Sequence, residues 1–200
     1  MMKNITNNQV LLRGTIVAET VTSRGLGVTL ATNRVTSNNN HISDYILIWF
    51  EDDMIEEYKK SKAVLYDRIE VVCQVFSKRI YSKKYNSRSY TQFILANSIR
   101  VEDKFNKSSA DDLNDFILKG KLEKINKSEK GCIVTLDLGG GEDIVNYPQA
   151  FTFNWIPKYI KVGDTVVVRG GVQSSRKRYG TSNRKSYSQM FIANKIQKAN

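Results

Sequence analysis

Hydrophobic and polar residues alternate along five segments in the first half of the chain, and five similar segments follow in the second half. An alternation with a period of two indicates β-strands with one buried face. In the first half the alternating segments are 10–16, 26–30, 45–50, 69–75 and 93–99. In the second half they are 116–122, 132–136, 151–155, 166–172 and 190–196. The pattern predicts an all-β chain with five strands in each half.

The two halves are copies of one unit. Residues 8–31 align without a gap on 114–137, and residues 67–100 align without a gap on 164–197. The offset between the copies is 106 residues in the first block and 97 in the second, so the second copy is nine residues shorter. At an offset of 106, Trp49 aligns with Trp155 and Tyr45 aligns with Phe151, which places the shortening after the third strand. Internal repeats over long ungapped blocks indicate a duplicated domain. We predict a first domain at 1–103, a polar linker at 104–113 and a second domain at 114–200.

A short helix is predicted between the third and fourth strands of the first copy. Residues 51–62 begin with acids and end with lysines, and they carry a small apolar stripe. Charges in this order complement the helix dipole. The second copy is shorter here and contains Pro157, so we expect no full helix there. Gly14 and Gly120 lie inside the long first strands, where a glycine permits a sharp bend at a barrel corner.

The net charge of +11 is concentrated in two stretches between the fourth and fifth strands, 76–90 and 173–187. Each stretch has five cations and no acid: Lys78, Arg79, Lys83, Lys84 and Arg88, then Arg176, Lys177, Arg178, Arg184 and Lys185. Tyrosines are interleaved with them, namely Tyr81, Tyr85, Tyr90, Tyr179 and Tyr187. Two further cations, Arg24 and Lys130, occupy equivalent turns between the first two strands.

Cations interleaved with aromatic rings are typical of single-stranded nucleic-acid binding, because cations contact phosphates and flat rings stack on bases. The alternative for the cations is a solvated face, and for the tyrosines it is packing across the ribbon. Trp49 and Trp155 are further stacking candidates. Trp155 alternates with Phe151 and Phe153, so core packing is the default interpretation, and a stacking role is the alternative.

Five strands with a helix between the third and fourth is the element order of the oligonucleotide-binding (OB) fold. The residues resemble the bacterial and phage single-stranded DNA-binding proteins. Asn8, Val10, Leu12 and Gly14 look like that family's opening strand, and residues 161–168 look like the Lys-x-Gly-Asp turn and valine strand that follow its helix. The resemblance implies two tandem five-stranded OB barrels and a non-catalytic protein that serves DNA replication, recombination or transfer of a phage, plasmid or conjugative element.

The same resemblance bears on partners. It implies single-stranded DNA as the ligand and allows a homodimer, in which two chains would supply four OB domains. Family members usually end in an acidic tail that recruits replication enzymes, whereas this sequence ends in basic and polar residues, so we expect no such recruitment. The alternative is an RNA-binding protein or a primosome-type adaptor built on the same fold.

Other functional classes have weaker support. The paired acids, such as Asp111 and Asp112 in the linker, lack a third metal ligand, and the glycine run at 139–141 lacks the ending of a phosphate loop, so we expect no enzyme, metal or cofactor. Membrane-surface binding is disfavoured because the cations do not follow an amphipathic helix. Cys73 and Cys132 are predicted to be buried free thiols. The polar start of the sequence leads us to expect a cytoplasmic protein.

Overall fold

Ten strands and one helix make up the fold. The structure is a computed structural model that describes residues 8–36, 38–82, 87–102, 112–139, 146–178 and 185–199, with the backbone alone at 79–82, 87–90, 176–178 and 185–187. We call residues 8–102 the first half and residues 112–199 the second half. The first half contains β1 (Asn8–Thr22), β2 (Gly25–Val35), β3 (His41–Phe50), α1 (Asp53–Ser61), β4 (Arg68–Ser82) and β5 (Ser87–Val101). The second half contains β6 (Leu113–Ser128), β7 (Gly131–Asp137), β8 (Gln149–Thr152), β9 (Thr165–Arg178) and β10 (Lys185–Lys198).

The first half is a closed five-stranded barrel with the strand order of an OB-fold. Its strands pair in the order β1–β2–β3–β5–β4 and return to β1. All pairs are antiparallel except β3–β5, which meet in parallel at Trp49 and Leu95. The predicted all-β fold of OB type, with one short helix, is confirmed.

In the second half, β6 pairs with β7 and β9, and β8 pairs with β7 and β10. The two halves are joined by an antiparallel ladder between β1 and β6, in which Val10 lies opposite Phe116. These two residues occupy the same place in the sequence repeat. The ladder therefore runs through a local twofold axis, and all ten strands belong to one sheet.

Gly14 lies where β1 leaves β4 and turns towards β2. Thr15 pairs with Arg68 on one side and with Ala31 on the other. A Cβ atom at Gly14 would stand 2.4 Å from the Ala31 carbonyl oxygen, far inside contact distance. Gly120 has the same 2.4 Å relation to the carbonyl of Asp137. Because glycine has no side chain, the two backbones can approach closely and the first strand can bend at the predicted barrel corner.

Most of the predicted strand faces are buried as expected. The sets beginning at Val10, Ile69, Phe116 and Val166 alternate buried with less buried residues along their strands. The fifth strands differ, because Ile94 and Ala96 are buried in β5 whereas Phe93 is only partly buried. Residues of both parities are apolar in this strand, so alternation alone picked the wrong face.

The predicted helix is present as α1, two residues shorter at its start and one at its end than the 51–62 expected. Its Tyr58 is buried, packs edge-on against Phe50 with ring centroids 5.0 Å apart, and donates a hydrogen bond to Glu19. Burial raises the pKa of the Tyr58 phenol, so the group stays a neutral donor. In the second half the described residues between β8 and β9 form a turn, with the Ile160 amide donating to the Pro157 carbonyl at 2.9 Å.

The register of the third strands corrects the sequence alignment. Gly27 pairs with Trp49 in the first half, and the equivalent Ile133 pairs with Phe151 in the second. The spacing between the copies is therefore 102 here, not 106, and Phe151 rather than Trp155 occupies the place of Trp49. The second copy loses residues both before and after its third strand, whereas the alignment placed the whole shortening after it.

Asp112, which lies within the predicted linker, has a buried side chain. Its side chain is 2% exposed and forms an ion pair with Arg68, which is itself 9% exposed. The backbone and side-chain amides of Asn33 also donate to it, at 2.7 and 2.8 Å. The residue that precedes β6 is thus fastened to the β2 and β4 strands of the first half.

Side chains also cross between the halves in equivalent pairs. The Leu47 amide donates to the Gln189 side chain at 3.0 Å, and the Gln149 amide donates to the Gln92 side chain at 2.6 Å. Gln92 and Gln189 occupy the same place in the repeat. Such a reciprocal contact is the arrangement of a twofold interface, here formed within one chain.

Candidate nucleic-acid interface

The two basic stretches form the outer ends of two β-ribbons at equivalent places in the two halves. In the first ribbon β4 and β5 stay paired as far as Ser82 and Ser87. In the second ribbon β9 and β10 stay paired as far as Arg178 and Lys185. The predicted position between the fourth and fifth strands therefore corresponds to a paired ribbon in each half.

Within these stretches the structure describes the side chains of some candidates, only the backbone of others, and does not describe the remainder. The Lys78 side chain is exposed on the first ribbon. Nine other candidates have a described backbone only: Arg79, Tyr81, Arg88, Tyr90, Arg176, Lys177, Arg178, Lys185 and Tyr187. Five lie outside the described residues: Lys83, Lys84, Tyr85, Tyr179 and Arg184.

The ribbon register brings cation and tyrosine positions together. The directly opposed backbone positions are Arg79 with Tyr90, Tyr81 with Arg88, and Arg176 with Tyr187. Residues directly opposite each other in an antiparallel ladder belong to the same face. In the backbone ladder of each ribbon, at least one cation position therefore lies opposite a tyrosine position.

An exposed cation–aromatic cluster lies on the outer face of the first barrel. The Arg24 guanidinium carbon is 3.6 Å from the centroid of the Phe93 ring and 5.6 Å from that of Trp49. A cation over an aromatic face at a solvent-accessible site contributes about 0.5–1 kcal/mol. The two rings hold Arg24 in place while leaving the guanidinium accessible, because Arg24 is exposed.

Trp49 belongs to this outer face and not to the core. Its neighbours Ile48 and Phe50 are fully buried, whereas Trp49 itself is half-buried. The indole lies over Gly27 on the neighbouring strand, where an added Cβ would come within 3.2 Å of the ring. The glycine makes room for a flat ring at the surface, and the core-packing interpretation of Trp49 is wrong.

Trp155 lies in a different setting. It follows the end of β8 at Thr152, and the residue is 73% exposed. The predicted strand 151–155 therefore starts two residues too late and ends three residues too late. Phe153 is 66% exposed and meets Phe151 edge-on with centroids 4.8 Å apart. Core packing is therefore wrong for Trp155 as well. Lys130 is exposed in the turn between β6 and β7, as predicted.

Sequence reasoning missed Phe93 as a surface ring. It had been placed with Leu95 and Ile99 on one face of the fifth strand. The structure instead pairs Phe93 with Phe76 across the first ribbon, and Lys78 lies two residues further along the same face. The available signal was the pair of neighbouring apolar residues Phe93 and Ile94, whose side chains point to opposite sides of the strand. If one side of the strand faces the core, one of these two side chains must face outward. Arg24, Phe93 and Lys78 thus lie along one connected face.

Three further features of the described residues concern metal binding, thiol chemistry and membrane insertion. These residues contain no group of three or more histidine, cysteine, aspartate or glutamate side chains placed to hold a metal ion. Both thiols are free and buried, as predicted, and burial raises the pKa of Cys73, so its thiolate is suppressed. Among the described helices, none has the length and apolar character to cross a bilayer.

Solved structures of the single-stranded DNA-binding protein from Thermus aquaticus share this fold. The wild-type protein superposes with a TM-score of 0.64 at 16% identity, over 96% of this chain and 93% of that one. A deletion variant of the same protein gives a TM-score of 0.64 at 16% identity, over 96% of this chain and 94% of the other. At this identity the likeness concerns the fold. No family model and no curated protein matches the chain.

Proposed function

We propose that this protein binds single-stranded DNA without strong sequence preference and has no catalytic activity. The observation that carries the proposal is the face formed by Arg24, Trp49 and Phe93, which continues along the first ribbon to Lys78. It offers cations and accessible rings together on the outer side of β2, β3 and β5. Strands two and three form the ligand face of OB barrels that bind oligonucleotides.

Phosphate contacts supply most of the sequence-independent affinity in this mechanism. Each cation that neutralises a phosphate releases condensed counterions, which contributes about 0.7 to the logarithmic salt slope for single strands. Arg24, Lys130 and the ten ribbon cations named above are the proposed phosphate ligands. Two of them, Arg24 and Lys78, lie on the face just described.

Stacking on rings supplies the remainder of the affinity. A base stacked on an aromatic side chain contributes about 1–3 kcal/mol and is sequence-tolerant, because every base has a flat face. The proposed stacking residues are Trp49 and the five ribbon tyrosines, with Trp155 as a further ring on the second half. Phe93 joins this group on the strength of its contact with Arg24.

The proposal extends to both halves of the chain. We infer that residues 1–103 and 114–200 each act as one OB domain around the linker 104–113, and that each domain contributes one ribbon. The fold shared with the single-stranded DNA-binding protein of Thermus aquaticus supports the choice of ligand. A homodimer would supply four domains, and the proposed setting is the cytoplasm during replication, recombination or transfer of DNA.

Titration with poly-dT at several salt concentrations, followed by tryptophan fluorescence, tests the proposal. We expect quenching, a negative salt slope, and competition by single strands well ahead of duplex DNA or structured RNA. Preference for structured RNA would favour the RNA-binding or adaptor alternative. Binding of duplex DNA in preference, or a salt-independent affinity, would overturn the proposal.

Variants of the outer face sharpen this test. Trp49→Phe should remove the part of the fluorescence quenching that Trp49 contributes and leave the part that Trp155 contributes. Arg24→Ala should weaken poly-dT binding about threefold to tenfold through the loss of one phosphate contact and one ordered ring. Tyr66→Ala is the control, since that side chain is 76% exposed in the loop after α1, outside the proposed face. Equal affinity for the Arg24→Ala and Tyr66→Ala variants would remove this face from the interface.

A further inference from the structure

The first half contains a network of ion pairs whose two acids are replaced by uncharged residues at the equivalent places of the second half. In the first half Arg13 forms ion pairs with Glu70 at β4 and with Glu102 after β5. Arg100 and Arg68 complete the network through the same two glutamates. The positive and negative charges here are held in mutual contact on the outside of β1, β4 and β5.

Register identifies the equivalent residues of the second half without ambiguity. Arg13, Glu70 and Arg100 lie side by side in the first half, and Lys119, Val167 and Gln197 lie side by side in the second. The Glu102 amide donates to the Arg68 carbonyl at 2.9 Å, and the Ala199 amide donates to the Thr165 carbonyl at 2.9 Å. Lys119 therefore replaces Arg13, while Val167 and Ala199 replace the two glutamates.

The second half keeps a cation at this place but has neither of the two equivalent glutamates. Lys119 is exposed, and no ion pair joins it to any residue that the structure describes. It lines an open cleft of 520 Å³ together with Tyr159, Val167, Gln197, Lys198 and Ala199. Tyr159 is 64% exposed. Lys198 bonds Asp164 at 2.8 Å, which occupies one of the three donors of its ammonium group.

Further cations lead from this cleft towards the second ribbon. Arg169 lies next to Ile117 and Lys195 across the strands β6, β9 and β10, two residues nearer the ribbon than Lys119 and Val167. Both Arg169 and Lys195 are exposed. At the equivalent places the first half has Val72 and Ser98, which are uncharged. This group of cations is specific to the second half, and the uncharged residues 170–175 separate Arg169 from the first ribbon cation on β9, Arg176.

We propose that this cleft is a second binding site for single-stranded DNA, in which Lys119 and Lys198 contact phosphates and Tyr159 stacks on a base. The proposal rests on the proposed function and adds a site remote from the Arg24 face. A volume of 520 Å³ falls in the range of small-ligand sites and accommodates a nucleotide. Single-stranded DNA fits the observations better than a short acidic peptide does, because the exposed ring of Tyr159 lies among the cations and can stack on a base.

The test measures the affinity and salt slope of two full-chain variants, Lys119→Glu and Tyr159→Ala. Each variant is titrated with poly-dT and with an oligo-dT short enough to bind one ribbon. Lys119→Glu should reduce the salt slope for poly-dT by about 0.7, the contribution of one phosphate. Tyr159→Ala should weaken poly-dT binding fivefold or more, the low end for one stacked base. Affinity for the short oligonucleotide should stay unchanged. Lys124→Glu on the same strand and Tyr66→Ala are the matched controls.

A second measurement keeps the two proposals separate. The dinucleotide pTpT, titrated into the unsubstituted protein, should shift the amide NMR signals of Lys119, Tyr159 and Gln197. Shifts there without any poly-dT binding would support the cleft and overturn the proposed function. Absence of these shifts, or a poly-dT slope unchanged by Lys119→Glu, would overturn the cleft. Displacement of pTpT by poly-glutamate at lower concentration than by oligo-dT would assign the cleft to acidic peptides and overturn it as a DNA site.

Discussion

At the scale of single residues, backbone conformation distinguishes two otherwise equivalent turns. Tyr66 and Gly163 both precede the aspartate that opens the fourth strand of their half, and both have positive φ, at 72° and 98°. Their amides donate to equivalent carbonyls, those of Ile16 and Leu122, at 2.9 and 2.8 Å. A left-handed conformation costs an L-residue with a side chain about 1–2 kcal/mol, so the first half carries strain that the second avoids.

Gly163→Ala should therefore lower the free energy of unfolding by about 1 kcal/mol. No atom lies within 4 Å of the added Cβ, so conformational strain alone would cause the loss. Urea denaturation measures it. Tyr66→Gly is the matched comparison and should leave stability unchanged or raise it, since the released strain offsets the greater freedom of glycine in the unfolded chain. An alanine variant as stable as the parent protein would contradict this account.

Residue-scale chemistry was only partly readable from the sequence. The cations of the basic stretches and the turn position of Arg24 followed from composition and repetition. The contact between Arg24 and Phe93 did not, because these residues are far apart in the chain and meet only when β2 and β5 flank β3. The burial of Asp112 escaped prediction for the same reason, since its partner Arg68 lies on a distant strand.

At the scale of elements, the first, second and fourth strands could be predicted because each buries one face and alternates cleanly. The third strand of the second half could not be placed, because polar connections on both sides hide where residues were lost. Trp49 and Trp155 gave a persuasive but false match there, four residues out of register. Only cross-strand pairing with β2 and β7 fixes the true equivalence, and pairing partners are not encoded locally.

The turn before β9 should make stability depend on pH through Asp164. A hydrogen bond from Lys198 and a second from the Lys161 amide hold the pKa of this carboxyl below its ordinary value. A carboxyl with a lowered pKa stabilises the fold at pH values above its unfolded pKa. That contribution is lost as the pH falls through the folded value.

Asp164→Asn should therefore lower the melting temperature at neutral pH, with a difference from the parent protein that shrinks as the solution becomes acidic. Thermal melts between neutral pH and about pH 3 measure this difference, a range that spans the ordinary pKa of aspartate. Asp115→Asn provides the control, because Asp115 is an exposed carboxyl on β6. A difference that is constant across the range would show that the Asp164 charge has no part in stability.

At the scale of the whole molecule, the junction between the halves combines a backbone ladder with a buried ion pair. Removing one partner of a buried pair leaves an unpaired charge and typically costs about 3–5 kcal/mol. Asp112→Ala removes the partner of Arg68 and the acceptor for both Asn33 donors. Arg68 keeps its 2.9 Å bond to Glu102, so the lower end of that range applies.

We expect Asp112→Ala to lower the free energy of unfolding by about 3 kcal/mol, measured by urea denaturation. Glu57→Ala is the control, since it removes an exposed carboxylate whose bond to Lys60 spans one turn of α1. That change should cost less than about 0.5 kcal/mol. Comparable losses in the two variants would show that Asp112 does not fasten the junction.

The ladder between β1 and β6 has a consequence for any polymer that engages both ribbons. Paired strands run from one half into the other, and this pairing restricts the motion of one half relative to the other. The distance and angle between the ribbons are then set before binding. A bound strand must adopt the curvature that the protein presents, so the entropy lost on wrapping falls on the nucleic acid and not on the protein.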